Sequence, residues 1–153
     1  MSEINVKIVK LEPMRMVSAY GFGAEPEGIA WEKISAFAEN NGINLADESI
    51  TTFGFNNPNP SIGSPNYGYE IWLPVAEGIE AEGDLRIVDF RGGLYAVTTF
   101  KGLENIGEVW EKLVKWREDS KYKCGNHQWL EELITYGVPL EEYVFNIYLP
   151  ISE

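Results

Sequence analysis

The spacing of apolar residues predicts strands and a helix in the first half of the chain. Apolar and polar residues alternate in residues 4–9, and an extended pattern resumes in residues 14–20, both typical of strands. Apolar residues then recur at helical spacing in residues 26–40, and Gly42 follows as a stop signal. Further strands are predicted at residues 49–55, 67–75 and 84–90. A loop rich in Pro and Gly at residues 56–66 separates the first two of these.

The second half repeats this order. A strand is predicted at residues 94–100, a helix with one apolar face at residues 104–117, and a closing strand at residues 144–151. Apolar residues at helical spacing also predict an additional short helix at residues 125–136, with these side chains directed inward: Trp129, Leu130, Leu133 and Ile134. Glu131 and Glu132 are then expected on the solvated face of that helix.

Two short sequences occur in both halves. GIAWEKI at residues 28–34 returns as GEVWEKL at residues 107–113, and IWLPV at residues 71–75 returns as IYLPI at residues 147–151. The spacings are 79 and 76 residues. Two different matches in one order predict a single domain over residues 1–153, with internal repeats at approximately residues 1–80 and 81–153.

This repeat predicts the fold class. We expect an α+β fold in which duplicated strand-helix-strand-strand half-domains form a curved antiparallel sheet with two main helices. A duplicated half-domain has a pseudo-twofold axis, so a central ligand cleft is expected on that axis.

Glu70 is the most informative candidate site residue. Strand alternation places Glu70 and Trp72 on one face and Ile71 on the other. The repeat makes Asn146 and Tyr148 the equivalents of Glu70 and Trp72. A carboxylate beside aromatic rings can receive an organic cation through charge attraction and cation–π contact. The alternative is a Glu on a solvated face or one paired with Lys or Arg.

Trp31 and Trp110 occupy one equivalent position in the two predicted helices. A repeated Trp on an amphipathic helix serves either as a core residue or as a wall of the cleft, and both interpretations stay open here. Weaker candidates of the same kind are Tyr20, Tyr67 and Tyr95.

Charge and composition limit the classes of binding partner and the cellular compartment that we expect. The chain has 24 acidic and 12 basic residues, a net charge of −12, which disfavours direct nucleic-acid binding and favours encounter with cations. Cys124 is the only cysteine, so no internal disulfide is possible. The sequence shows neither a secretory signal nor an apolar run of membrane-spanning length, so we expect a cytoplasmic protein without a membrane partner.

Motifs for metals and cofactors are missing from the sequence. Cys124 and His127 lie three residues apart without a second Cys-His pair, which does not predict a zinc site or a nucleophile. No phosphate loop or dinucleotide fingerprint occurs, so no cofactor is expected.

Several motifs together resemble one family. They are PMRM at residues 13–16, the GxxWEK helix, NYGYEIW at residues 66–72, GD at residues 83–84 leading into GGLYAV at residues 92–97, and the final IYLPI. This set is similar to the GyrI-like small-molecule-binding family, which includes effector-binding domains of AraC-type and multidrug-responsive transcription regulators. The resemblance implies a duplicated α+β fold with a hydrophobic cleft, an acidic residue at its base, and binding of lipophilic, often cationic, compounds.

The chain departs from the family pattern at two points. Regulatory members often carry a helix-turn-helix domain, whereas this sequence starts at the first strand, so a stand-alone domain is expected. Members often have an acid where this chain has Asn146, which leaves Glu70 as the expected charge of the cleft.

Three functions follow from these expectations. The first is sensing or sequestration of a lipophilic, cationic compound, with Glu70 as charge partner and Trp72, Tyr148, Trp110 and Trp31 as apolar walls. The second is hydrolysis of a reactive small molecule in the same cleft. It requires Glu70 to have a raised pKa and a nearby donor such as a Tyr hydroxyl. The third is an inhibitory module that binds a protein partner.

Overall fold

The computed structural model describes residues 4–45, 47, 50–57, 63–134 and 139–153. Contacts divide the chain into two compact units. The middle unit is Met14–Phe90, and the terminal unit combines Met1–Pro13 with Arg91–Glu153.

The middle unit is one helix on an antiparallel sheet. Its sheet order is β3-β4-β2-β5. The elements are β2 (Met14–Gly23), α1 (Pro26–Asn40), β3 (Phe53–Asn56), β4 (Tyr67–Pro74) and β5 (Arg86–Phe90). These bounds confirm the predicted helix at residues 26–40 and the predicted strand at 67–75. The loop predicted at residues 56–66 falls partly outside the described residues.

Helix α1 forms because its apolar residues return to one side. Pro26 starts the first turn, where its missing N–H is not needed, and Gly42 follows the last turn at a φ of 68°. Ile34 and Phe37 are fully buried against Ile71 and Leu73 of β4. Burial of each such side chain stabilises the fold by about 1.5–3 kcal/mol.

The terminal unit has the same arrangement of helix and sheet. Its sheet order is β1-β6-β9-β8, and β7 pairs with β9. The elements are β1 (Lys7–Leu11), β6 (Gly93–Lys101), α2 (Ile106–Glu118), β7 (Lys123–Cys124), β8 (Leu130–Leu133) and β9 (Val144–Ser152). A short 3-10 turn at Leu103–Asn105 precedes α2. No helix in the described part of the chain is long and apolar enough to cross a membrane.

Apart from β7, the strand orders of the two units match. In each unit the strand after the helix pairs with the last long strand, which pairs with the strand before the helix. The outer strand differs in origin: β5 pairs with β2, whereas the N-terminal β1 pairs with β6. The boundaries of the units therefore differ from those of the predicted repeats at 1–80 and 81–153, and the duplication itself stays a prediction.

The short helix predicted at residues 125–136 is wrong over its described part. Residues Leu130–Leu133 form β8 and pair with β9, whereas residues 135 and 136 lie outside the described residues. Trp129 and Ile134, expected inward, are 42% and 43% exposed, and only Leu130 of that set is fully buried. Pairing with a long buried strand outweighs the local helical pattern here, as strand context often does.

Candidate functional site

Glu70 lies on the face of the middle sheet that points away from α1. Its neighbours Ile71 and Leu73 pack into the α1 core, so strand alternation puts Glu70 and Trp72 on the opposite face, as predicted. The Trp72 indole N–H donates to Glu70 Oε1 at 3.3 Å. Glu70 is only 1% exposed, which excludes the solvated alternative.

Four donors surround the Glu70 carboxylate. Besides Trp72, Ser18 Oγ and Arg86 Nη2 donate to Oε1 at 2.7 and 2.9 Å. The side-chain amide of Asn57 donates to Oε2. Sheet register explains this convergence, since Ser18 of β2 lies opposite Trp72 and Arg86 of β5 lies opposite Ser18. The carboxylate is therefore buried with its charge paired.

These donors decide the ionisation of Glu70. Burial alone raises the pKa of a carboxyl group, because it disfavours the charged form. Hydrogen bonds from Asn57, Ser18 and Arg86, together with the positive charge of Arg86, outweigh burial and lower the pKa of Glu70 below its ordinary value. Glu70 is thus an anion at neutral pH.

The lowered pKa predicts how stability depends on pH. Because the pKa of Glu70 is lower in the folded protein, its contribution is complete above the ordinary value of 4.5 and is lost as the pH falls through the folded value. Urea unfolding between about pH 7 and about pH 3 measures this loss. The free energy of unfolding of wild type should exceed that of Glu70→Gln at neutral pH, and this difference should shrink as the solution becomes acidic. A difference between the two proteins that stays constant with pH would contradict the assignment.

Two aromatic rings contact Trp72, the indole that donates to Glu70. Phe55 of β3 meets Trp72 edge-to-face with ring centroids 4.8 Å apart, and Phe90 of β5 lies 5.9 Å from Trp72. All three side chains are buried. An ionised carboxylate bordered by aromatic rings is the arrangement that attracts organic cations.

The corresponding face of the terminal sheet carries a second acid. Asn146 and Tyr148 point away from the α2 core, and both donate to Glu132 Oε1, at 3.1 and 2.7 Å. Thr99 Oγ1 donates to the amide oxygen of Asn146. The expectation that Glu132 lies on a solvated helix face is therefore wrong, because Glu132 belongs to β8 and is half-buried.

The two acids lie in matching rows of their sheets. Tyr20, Glu70 and Phe55 are register partners across β2, β4 and β3, and the equivalent row of the terminal unit is Thr99, Asn146 and Glu132. In the terminal unit the acid thus lies on β8, the counterpart of β3, and not on β9, the counterpart of β4. Sequence reasoning missed Glu132, because its position beside Asn146 depends on the pairing of β8 with β9 and not on a local pattern.

One buried tyrosine, Tyr148, donates to Glu132, and a second, Tyr95, contacts Tyr148. Burial raises the pKa of Tyr148, and the charge and hydrogen bond of Glu132 raise it further, so its hydroxyl stays protonated as a donor. Tyr95 meets Tyr148 edge-to-face at 5.6 Å, and its hydroxyl donates to the carbonyl of Gln128 at 2.6 Å. Burial likewise raises the pKa of Tyr95.

The helix tryptophans lie elsewhere. Trp31 packs, half-buried, against the α1 core of the middle unit, on the other face of the sheet from Glu70. Trp110 packs in the same way against the α2 core, with its ring centroid 5.3 Å from that of Trp129. Within each unit, therefore, the structure does not bring the predicted Trp to the face that carries the acid. This geometry favours the core interpretation of both residues.

Two of the weaker tyrosine candidates also have defined positions. Tyr20 shares the face and row of Glu70, and its hydroxyl lies over Gly68. The Tyr67 hydroxyl donates to Glu27 of α1 on the helix side of the sheet.

Solved structures with this fold include transcription regulators and proteins named as hydrolases. EcmrR in a complex with DNA aligns with a TM-score of 0.77 at 15% identity, covering 100% of this chain and 59% of that one. The EcmrR C-terminal domain aligns at 0.71 and 13% identity, covering 98% of both chains. A structure named as a hydrolase from Listeria innocua aligns at 0.72 and 10% identity, covering 99% and 94%. Identities this low establish the α+β fold alone.

A structure of SAV2435 bound to tetraphenylphosphonium shows the same fold with a ligand present. It aligns at a TM-score of 0.56 and 13% identity, covering 97% of this chain and 94% of that one. No curated protein sequence matches the chain. The family comparison is more direct, since the match extends over residues 4–152. The chain belongs to the GyrI-like small-molecule-binding domain family.

Proposed function

We propose that the protein binds lipophilic organic cations on the Glu70 face of the middle unit, for sensing or sequestration. The observation that carries the proposal is a buried carboxylate kept ionised beside Trp72, whose ring contacts Phe55 and Phe90. Buried anions are costly, so an ionised one beside aromatic rings supports recognition of positive charge. The tetraphenylphosphonium bound to SAV2435 is a cation of this chemical class.

Arg86 is the group that such a ligand would replace. Its side chain is 64% exposed, whereas that of Glu70 is 2% exposed. A guanidinium that returns to water regains its hydration, so exchanging Arg86 for a ligand cation costs little. Ser18, Trp72 and Asn57 can keep their hydrogen bonds to the carboxylate throughout. The ligand cation can thus pair with the Glu70 carboxylate while the carboxylate keeps these three hydrogen bonds.

Titration with tetraphenylphosphonium tests the proposal. Glu70→Gln is expected to weaken binding about tenfold, since it removes the negative charge but keeps a side chain of the same shape. Arg86→Gln is expected to strengthen binding, because it removes the competing cation. Isothermal titration calorimetry measures both changes.

Asp84→Asn is the matched control. It removes one negative charge from the same unit, at an exposed residue paired with Lys33, and should leave the affinity unchanged. Equal affinities of wild type and Glu70→Gln would overturn the role of Glu70 as charge partner. A loss of affinity in Arg86→Gln would show that Arg86 supports the ligand rather than competing with it.

Hydrolysis in the same site is the second candidate, supported by the similar structure named as a hydrolase. Its requirement for a raised Glu70 pKa is not met, because the pKa is lowered. The donors to Glu70 are also Ser18, Asn57, Trp72 and Arg86 rather than a Tyr hydroxyl. A carboxylate of lowered pKa is a weak general base, so binding is the better-supported function. Turnover of an electrophilic substrate by wild type, lost in Glu70→Gln, would reverse this order.

A further inference from the structure

One edge of the middle sheet lacks a neighbouring strand over part of its length. Strand β2 extends from Met14 to Gly23, whereas β5 pairs with it only as far as Ser18. No strand in the described part of the chain pairs with residues 19–23 on that side. An uncovered edge of this kind can accept an additional strand from another polypeptide.

The backbone groups on that edge belong to Tyr20 and Phe22. The Arg15 carbonyl accepts a hydrogen bond from the Val75 N–H, so the N–H and C=O groups of odd-numbered β2 residues point towards β4. Those of even-numbered residues therefore point to the other side, where β5 ends before it reaches Tyr20. Lys33 Nζ donates to the Tyr20 carbonyl at 2.8 Å, which agrees with this direction. The N–H groups of Tyr20 and Phe22 thus face the position of a partner strand.

Exposed apolar side chains border both faces of this edge. Phe22 is 53% exposed, and it lies with the exposed Tyr20 on the face that carries Glu70. Ile29 of α1 is also exposed and lies over Gly21 on the other face. A strand added at this edge would therefore cover apolar surface on both faces of the sheet, which stabilises the pairing.

The charge of the middle unit indicates which kind of strand fits. Residues 14–90 contain 12 acidic and three basic side chains, so the unit is strongly negative. Two copies of this edge would repel each other, whereas a basic segment is attracted. Lys33 joins Asp84, at 2.6 Å, to the Tyr20 carbonyl, so an ammonium group already fits beside the edge. Charge complementarity thus favours a basic partner over a second copy.

We infer that residues 19–23 of β2 bind an extended basic segment of a partner protein as an additional strand. The backbone of that segment pairs with Tyr20 and Phe22, its apolar side chains cover the exposed rings, and its Lys or Arg side chains face the acidic surface of the unit. Lys33 leaves the Tyr20 carbonyl when the segment binds. The edge does not use the Glu70 carboxylate, so it is separate from the proposed cation site.

A short peptide of alternating lysine and valine, acetylated and amidated at its ends, is the probe. We expect it to slow hydrogen exchange of the Tyr20 and Phe22 amides about tenfold or more, because each N–H gains an acceptor. NMR of the full chain measures this exchange. A peptide of the same sequence with N-methylated backbone amides keeps the charges and side chains but cannot pair, so it should bind about tenfold more weakly.

Phe22→Ala tests the apolar contact, and Ile8→Ala is its matched control. Both variants remove an exposed apolar side chain from a strand, but Ile8 belongs to β1 of the terminal unit. Phe22→Ala should weaken binding of the lysine–valine peptide about tenfold, whereas Ile8→Ala should leave it unchanged. Lys33→Gln should strengthen binding, since Lys33 occupies the Tyr20 carbonyl and repels the lysines of the peptide. Calorimetric titration measures all three affinities.

The outcomes identify the site and its occupant. No binding of the lysine–valine peptide, equal affinities of the two peptides, equal effects of Phe22→Ala and Ile8→Ala, or weaker binding in Lys33→Gln would overturn the edge site. Slow exchange at Tyr20 and Phe22 in a dimer without peptide would assign the edge to a second copy and overturn the basic partner. A shift of the Trp72 indole N–H signal with unchanged exchange at these amides would place the peptide on the Glu70 face instead. Failure of tetraphenylphosphonium to bind, with the amides protected by the peptide, would overturn the proposed function alone.

Discussion

Gly68→Ala is expected to lower the free energy of unfolding by about 3 kcal/mol or more. A methyl group at position 68 would overlap the backbone carbonyl oxygen of Asn57 and the hydroxyl of Tyr20. Gly68 is not among the glycines with positive φ, so the cost comes from lack of space rather than from backbone conformation. Equilibrium urea unfolding measures the loss.

Gly28→Ala provides the control within the same unit. A methyl group there meets nothing within 4 Å, and Gly28 lies in α1. This variant should gain about 0.5 kcal/mol, since Ala restricts the unfolded chain more than Gly. Similar changes in the two variants would show that the close approach at Gly68 is not what stabilises the fold.

The effect of Gly68→Ala extends to the candidate site. The Asn57 backbone N–H donates to the carbonyl of Gly68 at 2.7 Å, and the Asn57 side chain donates to Glu70. Displacing Asn57 removes one of the donors that lower the pKa of Glu70. The variant should therefore lose stability at a higher pH than wild type does.

Glu70→Ala is expected to destabilise the protein by about 3–5 kcal/mol. The change removes the acceptor of four donors, of which Ser18 and Trp72 are buried and cannot turn to water. Arg86 is largely exposed and contributes little to the loss, because water replaces its partner. Urea unfolding at neutral pH measures the loss.

A double-mutant cycle identifies the source of that cost. Ser18→Ala removes one of the donors that Glu70→Ala leaves without an acceptor. In the Glu70→Ala background it should therefore lower the free energy of unfolding by about 1–2 kcal/mol less than in wild type. Asp84→Ala, at an exposed ion pair, should change stability far less than Glu70→Ala. Strict additivity of Ser18→Ala and Glu70→Ala would contradict the hydrogen bond as the origin.

Local periodicity was sufficient to predict the main helices and the orientation of Glu70. The apolar spacing of α1 and α2 matches one helical face, and alternation along β4 separates Glu70 from Ile71. Side chains return to the same face every 3.6 residues in a helix and every two residues in a strand, so each pattern can be recognised within one segment.

The partners of the two acids could not be predicted in this way. Ser18 and Arg86 reach Glu70 only through the register of β2 with β4 and β5, which joins residues 52 and 16 positions away along the chain. Glu132 was missed for a related reason, since the apolar residues at positions 129–134 have helical spacing, whereas Leu130–Leu133 pair with β9. Pairing between distant strands is a tertiary property, and it also determines which acid has a compensating charge.

The exchange of outer strands constrains how this chain can be divided. Strand β1 falls within the predicted repeat at residues 1–80 but pairs with β6, and β5 falls within the repeat at 81–153 but pairs with β2. A cut between residues 80 and 81 would leave β2 and β6 each with an uncovered hydrogen-bonding edge, a template for self-association. A single copy of such a repeat could satisfy that edge with the first strand of a second copy, as a strand-swapped homodimer. Fusing two copies into one polypeptide would make that exchange intramolecular and leave each copy free to acquire its own acid.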